Sequence, residues 1–363
     1  MKIKILIVDD SRIFRSAIEQ LLSRESDIEV IGSVWNGIKA LEFIKESPPH
    51  LVTLDIQMPD MDGLETLREI QKINANRRPD AQIGVIMLSS HTQKGADITV
   101  QALEMGAFDF IAKPESRNLK ENISQLCRQL VVKIRNYASI RIPKVTREQR
   151  IPQQPAAGTI ASRRFASPAG FKAIMIGVST GGPQALAELL PPLCAQVEVP
   201  IFIVQHMPPT FTQSLAKSLN NKCRYEVVEA GENEYVQNRH VYIAPGGRHM
   251  LLEMNQQKIR TVINDHPPEK GCRPSVNVLF RSGADVYGSQ VLGVILTGMG
   301  TDGTEGGKEL KSKGAVIIAQ DEESSVVWGM PGSAKNAGIV DEVLPLKEIP
   351  EAVIAMVNRS ALP

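Results

Sequence analysis

The sequence lacks a dominant charge, a regular cysteine pattern and any long apolar run, and each absence excludes a class of protein. Lys and Arg number 41 against 40 Asp and Glu, so no global field points to nucleic acid as a partner. The cysteines show no C-x-x-C spacing, which argues against a zinc site or a disulfide framework and is typical of a reducing cytosol. No segment approaches the roughly 20 apolar residues of a membrane span, and the first apolar run is too short for a signal peptide. We expect a soluble, cytoplasmic protein that is not inserted in a membrane.

The chain has 363 residues, which is long enough for two domains, and apolar runs alternate with amphipathic segments in both halves. Continuous apolar runs typical of buried parallel strands occupy 5–8, 51–54, 83–88, 108–112, 173–178, 201–204, 241–244, 291–296 and 315–319. Helix-like stretches in the first third occupy 13–23, 38–45 and 119–137. This alternation predicts an α/β protein with two doubly wound parallel-sheet domains.

The composition changes between the two predicted domains. From Arg141 to Gly170 there are four prolines, six Lys or Arg residues and a single acid, Glu148. Apolar periodicity disappears in this stretch, which predicts an extended, solvated linker. We therefore expect a first domain over 1–138, a linker over 139–170 and a second domain over 171–363.

Polar residues follow four predicted strands of the first domain, at the sheet edge where such folds bind ligands. They are Asp9-Asp10, Asp55, Ser89 and Lys113. Three carboxylates repel one another unless a cation lies among them, and all-oxygen ligation suits Mg²⁺. Asp55 could then attack a phosphoryl donor, with Mg²⁺ and Lys113 neutralising charge and the Ser89 hydroxyl bonding a phosphoryl oxygen. Each residue taken alone is more often a helix cap, a turn residue or a solvated charge.

The segments around these residues resemble the receiver domains of two-component response regulators. The matching segments are Ile7–Ser11, Asp55–Gly63 and Lys113-Pro114. The resemblance implies a flavodoxin-like fold with Asp55 as the phospho-acceptor. It also implies that Asp9 and Asp10 are the acids of a Mg²⁺ site, together with Asp55.

The same resemblance implies a switch that responds to phosphorylation. Phe110 lies where the family has its switch aromatic, and Ser89 and Lys113 are the other implied switch residues. The Lys113-Pro114 peptide is implied to be cis. The stretch Asn74–Asp80 is longer than usual for the family, and we interpret it as a loop insertion that leaves the site intact.

The stretch Gly177–Gly182 places a serine at a predicted strand-to-helix turn in the second domain. An apolar run precedes Ser179 and a helix-like segment follows it, so its hydroxyl would be exposed beside the N–H groups of the opening helix. Two interpretations remain open from these residues. Ser179 is either a nucleophile in a sharp elbow or part of a phosphate-binding loop, although the lysine and spacing of a P-loop are missing.

A serine nucleophile needs a base and a third group that orients the base. His206 follows a predicted strand, as Ser179 does, and Asp302 lies in a glycine-rich loop after another strand. All three residues would lie at the same edge of one sheet. His249 is a rival base by position, and reasoning from the residues alone does not separate the two histidines.

The second domain resembles the catalytic domain of chemotaxis protein-glutamate methylesterases of the CheB type. The matching segments are Ser179–Gly182, Gln205–Met207, Arg273–Ser275, Thr297–Gly303 and Val327–Pro331. A receiver, a linker and this Rossmann-like domain form the whole architecture of the family. The resemblance implies that Ser179 is the nucleophile, His206 the base and Asp302 the residue that orients the base.

The reaction implied by the resemblance is hydrolysis of glutamate γ-methyl esters on chemoreceptors, with deamidation of receptor glutamines by the same chemistry. Thr180 is the best-placed oxyanion donor because it follows the nucleophile, and the Met299 loop would form a second wall of the oxyanion hole. The implied partners are the cytoplasmic domain of a chemoreceptor as substrate and the histidine kinase CheA as phosphodonor. The esterase is expected to need no cofactor, and Mg²⁺ is expected only in the receiver. An esterase that acts on a non-chemotaxis protein and a phospho-switched adaptor without turnover are the alternatives.

Overall fold

The computed structural model describes residues 2–90, 92–113, 119–141 and 170–359. The N-terminal part is a single sheet with helices around it. Its strands are β1 (Ile3–Val8), β2 (Ile28–Val34), β3 (Leu51–Asp55), β4 (Gly84–Ser89) and β5 (Asp109–Ala112). Its helices are α1 (Arg12–Leu22), α2 (Gly37–Glu46), α3 (Gly63–Ala75), α4 (Gln93–Glu104) and α5 (Leu119–Arg141).

The N-terminal sheet has the strand order β2-β1-β3-β4-β5, and every adjacent pair is parallel. This is the flavodoxin-like, doubly wound order. Strands β3 and β4 are buried along their whole length, as uninterrupted apolar runs predict. The edge strand β2 is only partly buried and contains Gly32 and Ser33, and the apolar pattern of the sequence does not predict it.

The C-terminal part contains a large sheet and a separate hairpin. Its strands are β6 (Ala173–Val178), β7 (Ile201–Gln205), β8 (Glu226–Glu229), β9 (His240–Ile243), β10 (His249–Asn255), β11 (Lys258–Asn264), β12 (Val291–Ile295), β13 (Val316–Gln320) and β14 (Glu342–Leu344). Its helices are α6 (Gly182–Gln196), α7 (Phe211–Asn220), α8 (Val276–Tyr287), α9 (Thr304–Ser312), α10 (Met330–Asn336) and α11 (Ile349–Arg359). Among the helices that the structure describes, none is both long and apolar enough to cross a membrane.

The large sheet has the order β14-β13-β12-β6-β7-β9-β8 and is parallel throughout. The predicted fold class, two doubly wound parallel-sheet domains, is therefore confirmed. Strands β10 and β11 form an antiparallel pair outside this sheet, which the sequence pattern does not predict. The carboxyl ends of β6, β7 and β12 lie side by side, because β6 pairs with both of the others.

The residue that caps α3 is not the candidate phospho-acceptor Asp55, which lies at the end of β3. Helix α3 is capped by Asp62 and Glu65, whose side chains and backbone N–H groups bond reciprocally at 2.8 and 3.1 Å. Such a box satisfies N–H groups that have no partner inside the helix. Asp55 at the end of β3 is therefore not needed as the cap of α3.

The stretch Asn74–Asp80, predicted to be a loop insertion, is only partly a loop. It begins inside α3, and a 3₁₀ turn at Pro79–Ala81 ends it. The buried Asn74 side chain accepts the N–H of Ile83 at 2.8 Å and donates to the Ile83 carbonyl at 2.9 Å. These two bonds pair buried backbone groups that would otherwise have no partner. The stretch enters β4 at its amino end, away from the carboxyl ends where Asp55 lies.

The predicted linker is bounded by described elements on both sides. Helix α5 continues to Arg141, and β6 begins at Ala173. Residues 142–169 lie outside the described residues, so the domain boundaries remain predictions. Pro114 also lies outside them, and so does the peptide bond predicted to be cis.

The two parts of the chain pack against each other through α4, which contacts α6 and α7. Gln93 donates to the Ser214 hydroxyl at 2.8 Å, and the Ser218 hydroxyl donates to Glu104 at 2.7 Å. Lys222 forms an ion pair with the same Glu104 at 2.5 Å. Polar and charged bonds of this kind add specificity to an interface more than net affinity.

Candidate functional site

The acidic residues of the N-terminal part meet at one edge of its sheet. Ligand oxygens of Asp9, Asp10 and Asp55 all lie within 4.8 Å of one another. The Lys113 ammonium lies 2.7 Å from a carboxylate oxygen of both Asp9 and Asp55. Asp9 and Asp55 are buried, whereas Asp10 is exposed. The sequence-predicted carboxylates and lysine are thus brought together, and the donor set of three carboxylates suits a hard divalent cation.

The buried carboxylate of Asp55 is easily protonated for an aspartate. Burial raises its pKa to about 6, against the opposing effect of the Lys113 ammonium. The neighbouring Asp9 carboxylate contributes to this increase because like charges disfavour ionisation. Additional positive charge at this edge would lower this pKa and favour the ionised form of Asp55, which is the form that can act as a nucleophile.

Ser89 and Phe110 link this edge to the rest of the molecule. The Ser89 hydroxyl donates to the Gly95 carbonyl at 3.2 Å and accepts from the Thr99 hydroxyl at 2.7 Å, so it is bonded to α4. The Phe110 ring is buried and packs against Phe211 of the C-terminal part. Both predicted switch residues therefore contact elements that form the domain interface.

Ser179 lies in the tight turn between β6 and α6. Its N–H donates to the Thr297 carbonyl at 3.0 Å, and its carbonyl accepts the Gly182 N–H at 2.8 Å. Gly181 in this turn has φ +80, a conformation that favours glycine. A Cβ at Gly298 would lie 2.7 Å from the Ser179 Cβ, so only glycine allows the two loops to approach this closely.

His206 and Asp302 form a directly bonded pair. Nε2 of His206 lies 2.8 Å from an Asp302 carboxylate oxygen. Asp302 is only 2% exposed and lies at the N-terminus of α8, where it accepts the N–H groups of Val276 at 2.7 Å and Asn277 at 3.1 Å. The Ser275 hydroxyl donates to it at 2.8 Å. Because the helix start supplies these donors, the carboxylate is fixed in place and keeps its charge.

The pKa values of this pair are shifted in opposite directions. Burial acts to raise the pKa of Asp302, but the His206 ring and the donors of Val276 and Ser275 hold it below its ordinary value. Burial acts to lower the pKa of His206, but hydrogen bonds to Asp302 and Cys272 outweigh burial and raise it to about 9. Asp302 is therefore suited to orient the imidazole and to stabilise its charged form.

His249, the rival base, has a different environment. It is 1% exposed, and its Nδ1 accepts the Ser275 N–H at 3.2 Å. Its Nε2 lies 3.2 Å from the Pro267 carbonyl, so this nitrogen carries the proton and the ring is neutral. Both ring nitrogens of His249 are occupied by backbone groups, so of the two candidate bases His206 is the one with a carboxylate partner.

Ser179 and His206 follow neighbouring strands. In the register of β6 and β7, Val178 is opposite Gln205, and the His206 N–H donates to the Val178 carbonyl at 3.2 Å. Among the bonds of the described residues, none joins the Ser179 hydroxyl to His206. Nε2 is held by Asp302, so the remaining ring nitrogen, Nδ1, is the one that could accept a proton from Ser179.

The two oxyanion candidates contact the N-terminal part. The Thr180 hydroxyl donates to the Asp109 carboxylate at 3.0 Å, and that carboxylate also pairs with Lys133. The Asn136 amide contacts the sulfur of Met299. Asp109 is in β5, and Lys133 and Asn136 are in α5. This face of the N-terminal part therefore lies against the turn that contains Ser179 and against the loop after β12.

Two residues of the site are missed by the sequence reasoning. The Cys272 sulfur lies 3.7 Å from Nδ1 of His206, and the buried Gln205 amide donates to the Ser179 carbonyl at 2.9 Å. Gln205 lies next to His206 in a segment that carried the family resemblance. No sequence motif indicates Cys272, because it lies 66 residues after His206 and reaches the site from the turn before α8.

Family comparisons identify both parts of the chain. The response regulator receiver domain family matches residues 5–124, and the CheB methylesterase family matches residues 174–353. The fold and these two family matches define a response regulator whose second domain has the methylesterase fold. The crystal structure of the Thermotoga maritima CheB methylesterase catalytic domain shares 41% identity with a TM-score of 0.50, and the match covers 52% of this chain and 100% of that one.

Full-length relatives identify the family. A protein-glutamate methylesterase/protein-glutamine glutaminase of Desulfotalea psychrophila is 43% identical, and the match covers 98% of this chain and 99% of that protein. One of the same name from Trichodesmium erythraeum is 42% identical, with the same two coverages. The chain belongs to the protein-glutamate methylesterase/protein-glutamine glutaminase family. The resemblance inferred from the motifs is thereby confirmed.

Proposed function

We propose that this protein is a phosphorylation-controlled serine hydrolase that cleaves glutamate γ-methyl esters on the cytoplasmic domain of a chemoreceptor. Deamidation of receptor glutamines uses the same acyl chemistry. The observation that carries the proposal is the His206–Asp302 pair at the sheet edge shared with Ser179, in a chain that matches the named relatives almost from end to end.

The chemistry begins at the Ser179 hydroxyl. Its oxygen attacks the ester carbon while Nδ1 of His206 takes the proton, and the resulting imidazolium is stabilised by the ionised Asp302. The tetrahedral intermediate collapses to an acyl-enzyme, and His206 returns the proton to the departing methoxide, which leaves as methanol. Water then hydrolyses the acyl-enzyme by the same proton transfers and frees the glutamate carboxylate.

The negative charge on the tetrahedral intermediate needs hydrogen-bond donors. We assign this role to the Thr180 N–H, which follows the nucleophile at the start of α6, and to the loop that contains Met299. Removing one donor of this kind typically costs about 2.7–4 kcal/mol in the transition state.

The receiver half supplies control. Asp55 accepts the phosphoryl group, and the Lys113 ammonium, already 2.7 Å from its carboxylate, balances the added charge. Asp9, Asp10 and Asp55 would hold Mg²⁺, which supplies further charge neutralisation during transfer. The phosphodonor in the cell is a histidine kinase, for which we propose CheA.

The unphosphorylated receiver restrains the hydrolase by its position. The bonds from Asp109 to Thr180 and from Asn136 to Met299 place β5 and α5 against the loops of the candidate active site. A receptor helix that must reach Ser179 competes with this face. Phosphorylation of Asp55 weakens the docking through Ser89 and Phe110, which connect the phosphorylation edge to α4 and α7.

The proposal is tested by methanol release from methylated receptor membranes with the purified full-length protein. We expect turnover by the wild type and none by Ser179→Ala or His206→Ala, with unchanged folding by circular dichroism. Ser312→Ala is the matched control, because Ser312 is an exposed serine at the end of α9, and it should behave as wild type. Near wild-type turnover by Ser179→Ala would refute the nucleophile. Receptor binding without methanol release by the wild type would favour the adaptor.

A further inference from the structure

The ring nitrogen of His206 that does not bond to Asp302, Nδ1, is in contact with Cys272. Asp302 holds Nε2 at 2.8 Å, while Nδ1 lies 3.7 Å from the Cys272 sulfur. That separation is within the range of a weak hydrogen bond to sulfur. In the portion of the chain that the structure describes, Nδ1 bonds to this sulfur and not to the Ser179 hydroxyl. The nitrogen that should serve the nucleophile is thus engaged by a different side chain.

Backbone hydrogen bonds fix the position of Cys272. Its N–H donates to the Glu269 carbonyl at 2.9 Å, and its carbonyl accepts the Glu269 N–H at 3.1 Å. Lys270 and Gly271 between them have φ +51 and +79, which closes a tight turn. Glu269 is anchored to α8 by an ion pair with Arg281. The turn therefore presents the sulfur to His206 from a fixed position.

We propose that Cys272 is a positioning residue that competes with the Ser179 hydroxyl for Nδ1 of His206 and so restrains the hydrolase. This inference rests on the proposed roles of Ser179, His206 and Asp302. No covalent step is involved: the imidazole exchanges one hydrogen-bond partner for another. When Nδ1 is directed at the sulfur, Ser179 has no base, and when it turns to Ser179 the proton transfer can begin.

The contact also affects the charge of the ring. Among the described residues, the ionisable groups that contact the ring are Asp302, from the loop after β12, and Cys272, from the turn before α8. Both raise the pKa of His206 against the effect of burial. A charged ring cannot accept a proton from Ser179. Removal of the sulfur should therefore lower the pH at which the base becomes neutral, while the contact with Asp302 remains.

The test is the pH profile of kcat/KM for methanol release by the full-length protein, with Cys272→Ala and Cys272→Ser. We expect the rising limb of the Ala variant to move to lower pH, because lowering the midpoint by one pH unit increases the neutral fraction below it about tenfold. Activity at neutral pH should rise several-fold, and the plateau at high pH, where the ring is neutral, should be at least as high as that of wild type. Cys272→Ser keeps a hydroxyl oxygen that can accept a hydrogen bond from the charged ring, and it should give an intermediate midpoint. Cys223→Ser, a change at another partly buried cysteine, should leave the profile unchanged.

Titration of the His206 ring by nitrogen NMR measures the same effect without turnover. A lower midpoint for the ring in Cys272→Ala, matched by the displacement of the rate profile, supports the restraint. Coincident profiles of wild type and Cys272→Ala would overturn it, and so would loss of the plateau without a displaced limb. If Ser179→Ala is inactive in the same assay while the Cys272 variants match wild type, this inference alone fails. If Ser179→Ala remains active, the proposed function itself fails.

Discussion

Phe110 of the receiver sheet and Phe211 at the start of α7 pack ring against ring, with centroids 4.5 Å apart and planes inclined by 34°. Both rings are buried, so each domain completes the packing of the other at this point. Phe110 is also the aromatic that the family resemblance implies as the receiver switch. A movement of this ring on phosphorylation would therefore disturb the domain interface directly, with no intermediate element.

Loss of the Phe110 ring should weaken domain docking. An aromatic pair contributes about 0.5–1.5 kcal/mol beyond its burial, so Phe110→Leu should raise the esterase activity of the unphosphorylated protein about two- to tenfold. The measurement is methanol release without phosphodonor. Phe108→Leu is the matched control, because Phe108 packs on Tyr137 within the receiver. Equal activation by both variants at equal thermal stability would show that the Phe110–Phe211 contact has no special role.

The two histidines should differ in their effects when replaced. His206→Ala should abolish turnover, whereas His249→Ala should keep measurable turnover but lose stability. The His249 ring bonds the buried Ser275 N–H, and a buried group left without its partner costs about 1–3 kcal/mol. Kinetics and thermal unfolding of both variants check this. A folded His249→Ala protein without activity would mean that the wrong histidine has been assigned as the base.

The ends of the strands could be predicted from the sequence, and most of the candidate residues lie at these ends. Asp9, Asp55 and Lys113 each follow an apolar run, so the parallel sheet brings them to one edge where the structure finds ion pairs of 2.7 Å. The same reasoning places Ser179 and His206 at one edge of the second sheet, and the structure shows that they follow the adjacent strands β6 and β7. Local pattern is sufficient here because a parallel sheet aligns the carboxyl ends of its strands.

The contacts made by distant loops could not be predicted in the same way. His249 and His206 are both candidates by sequence position, and only the structure shows that His206 pairs with Asp302 while His249 bonds to the Ser275 N–H. Cys272 reaches His206 from a turn whose position depends on an ion pair with α8. The edge strand β2 was missed because it is only partly buried and lacks a continuous apolar run.

Phosphorylation should require both the acidic cluster and a divalent cation. Asp55→Asn should prevent labelling by a small phosphodonor, and EDTA should prevent it in the wild type, because Asp9, Asp10 and Asp55 lie within 4.8 Å of one another and need a cation to balance their charge. Mass spectrometry of the intact protein measures the added phosphoryl group. Stoichiometric labelling that persists in EDTA would overturn the proposed Mg²⁺ site.

Esterase activity should rise with pH, because His206 acts as a base only when it is neutral. Although burial acts to lower the pKa of His206, its hydrogen bonds to Asp302 and Cys272 raise it from 6.5 to about 9. The ring is charged below that pKa, so kcat/KM should increase about tenfold per pH unit below the midpoint and then level off. The same raised pKa stabilises the fold at low pH, and this contribution is lost as the pH rises through the folded-state pKa.

The control for this pH profile is Asp302→Asn, which removes the charge that holds the imidazolium. Its residual activity should show a lower midpoint and a lower plateau, because the ring loses both its orientation and its counter-charge. A wild-type midpoint no higher than that of an ordinary histidine would contradict the raised pKa of His206.

The most direct measurement of receiver control over Ser179 compares residues 171–363 expressed alone with the full-length protein, with and without a phosphodonor. The isolated domain lacks the face that carries Asp109 and Asn136. A coupling of 1–3 kcal/mol would make it about 5- to 150-fold more active than the unphosphorylated protein, with no response to the phosphodonor. Methanol release per Ser179 site is the readout, and the Ser179→Ala form of each protein gives the background. If the isolated domain is no more active than the unphosphorylated full-length protein, the receiver does not act by covering the site.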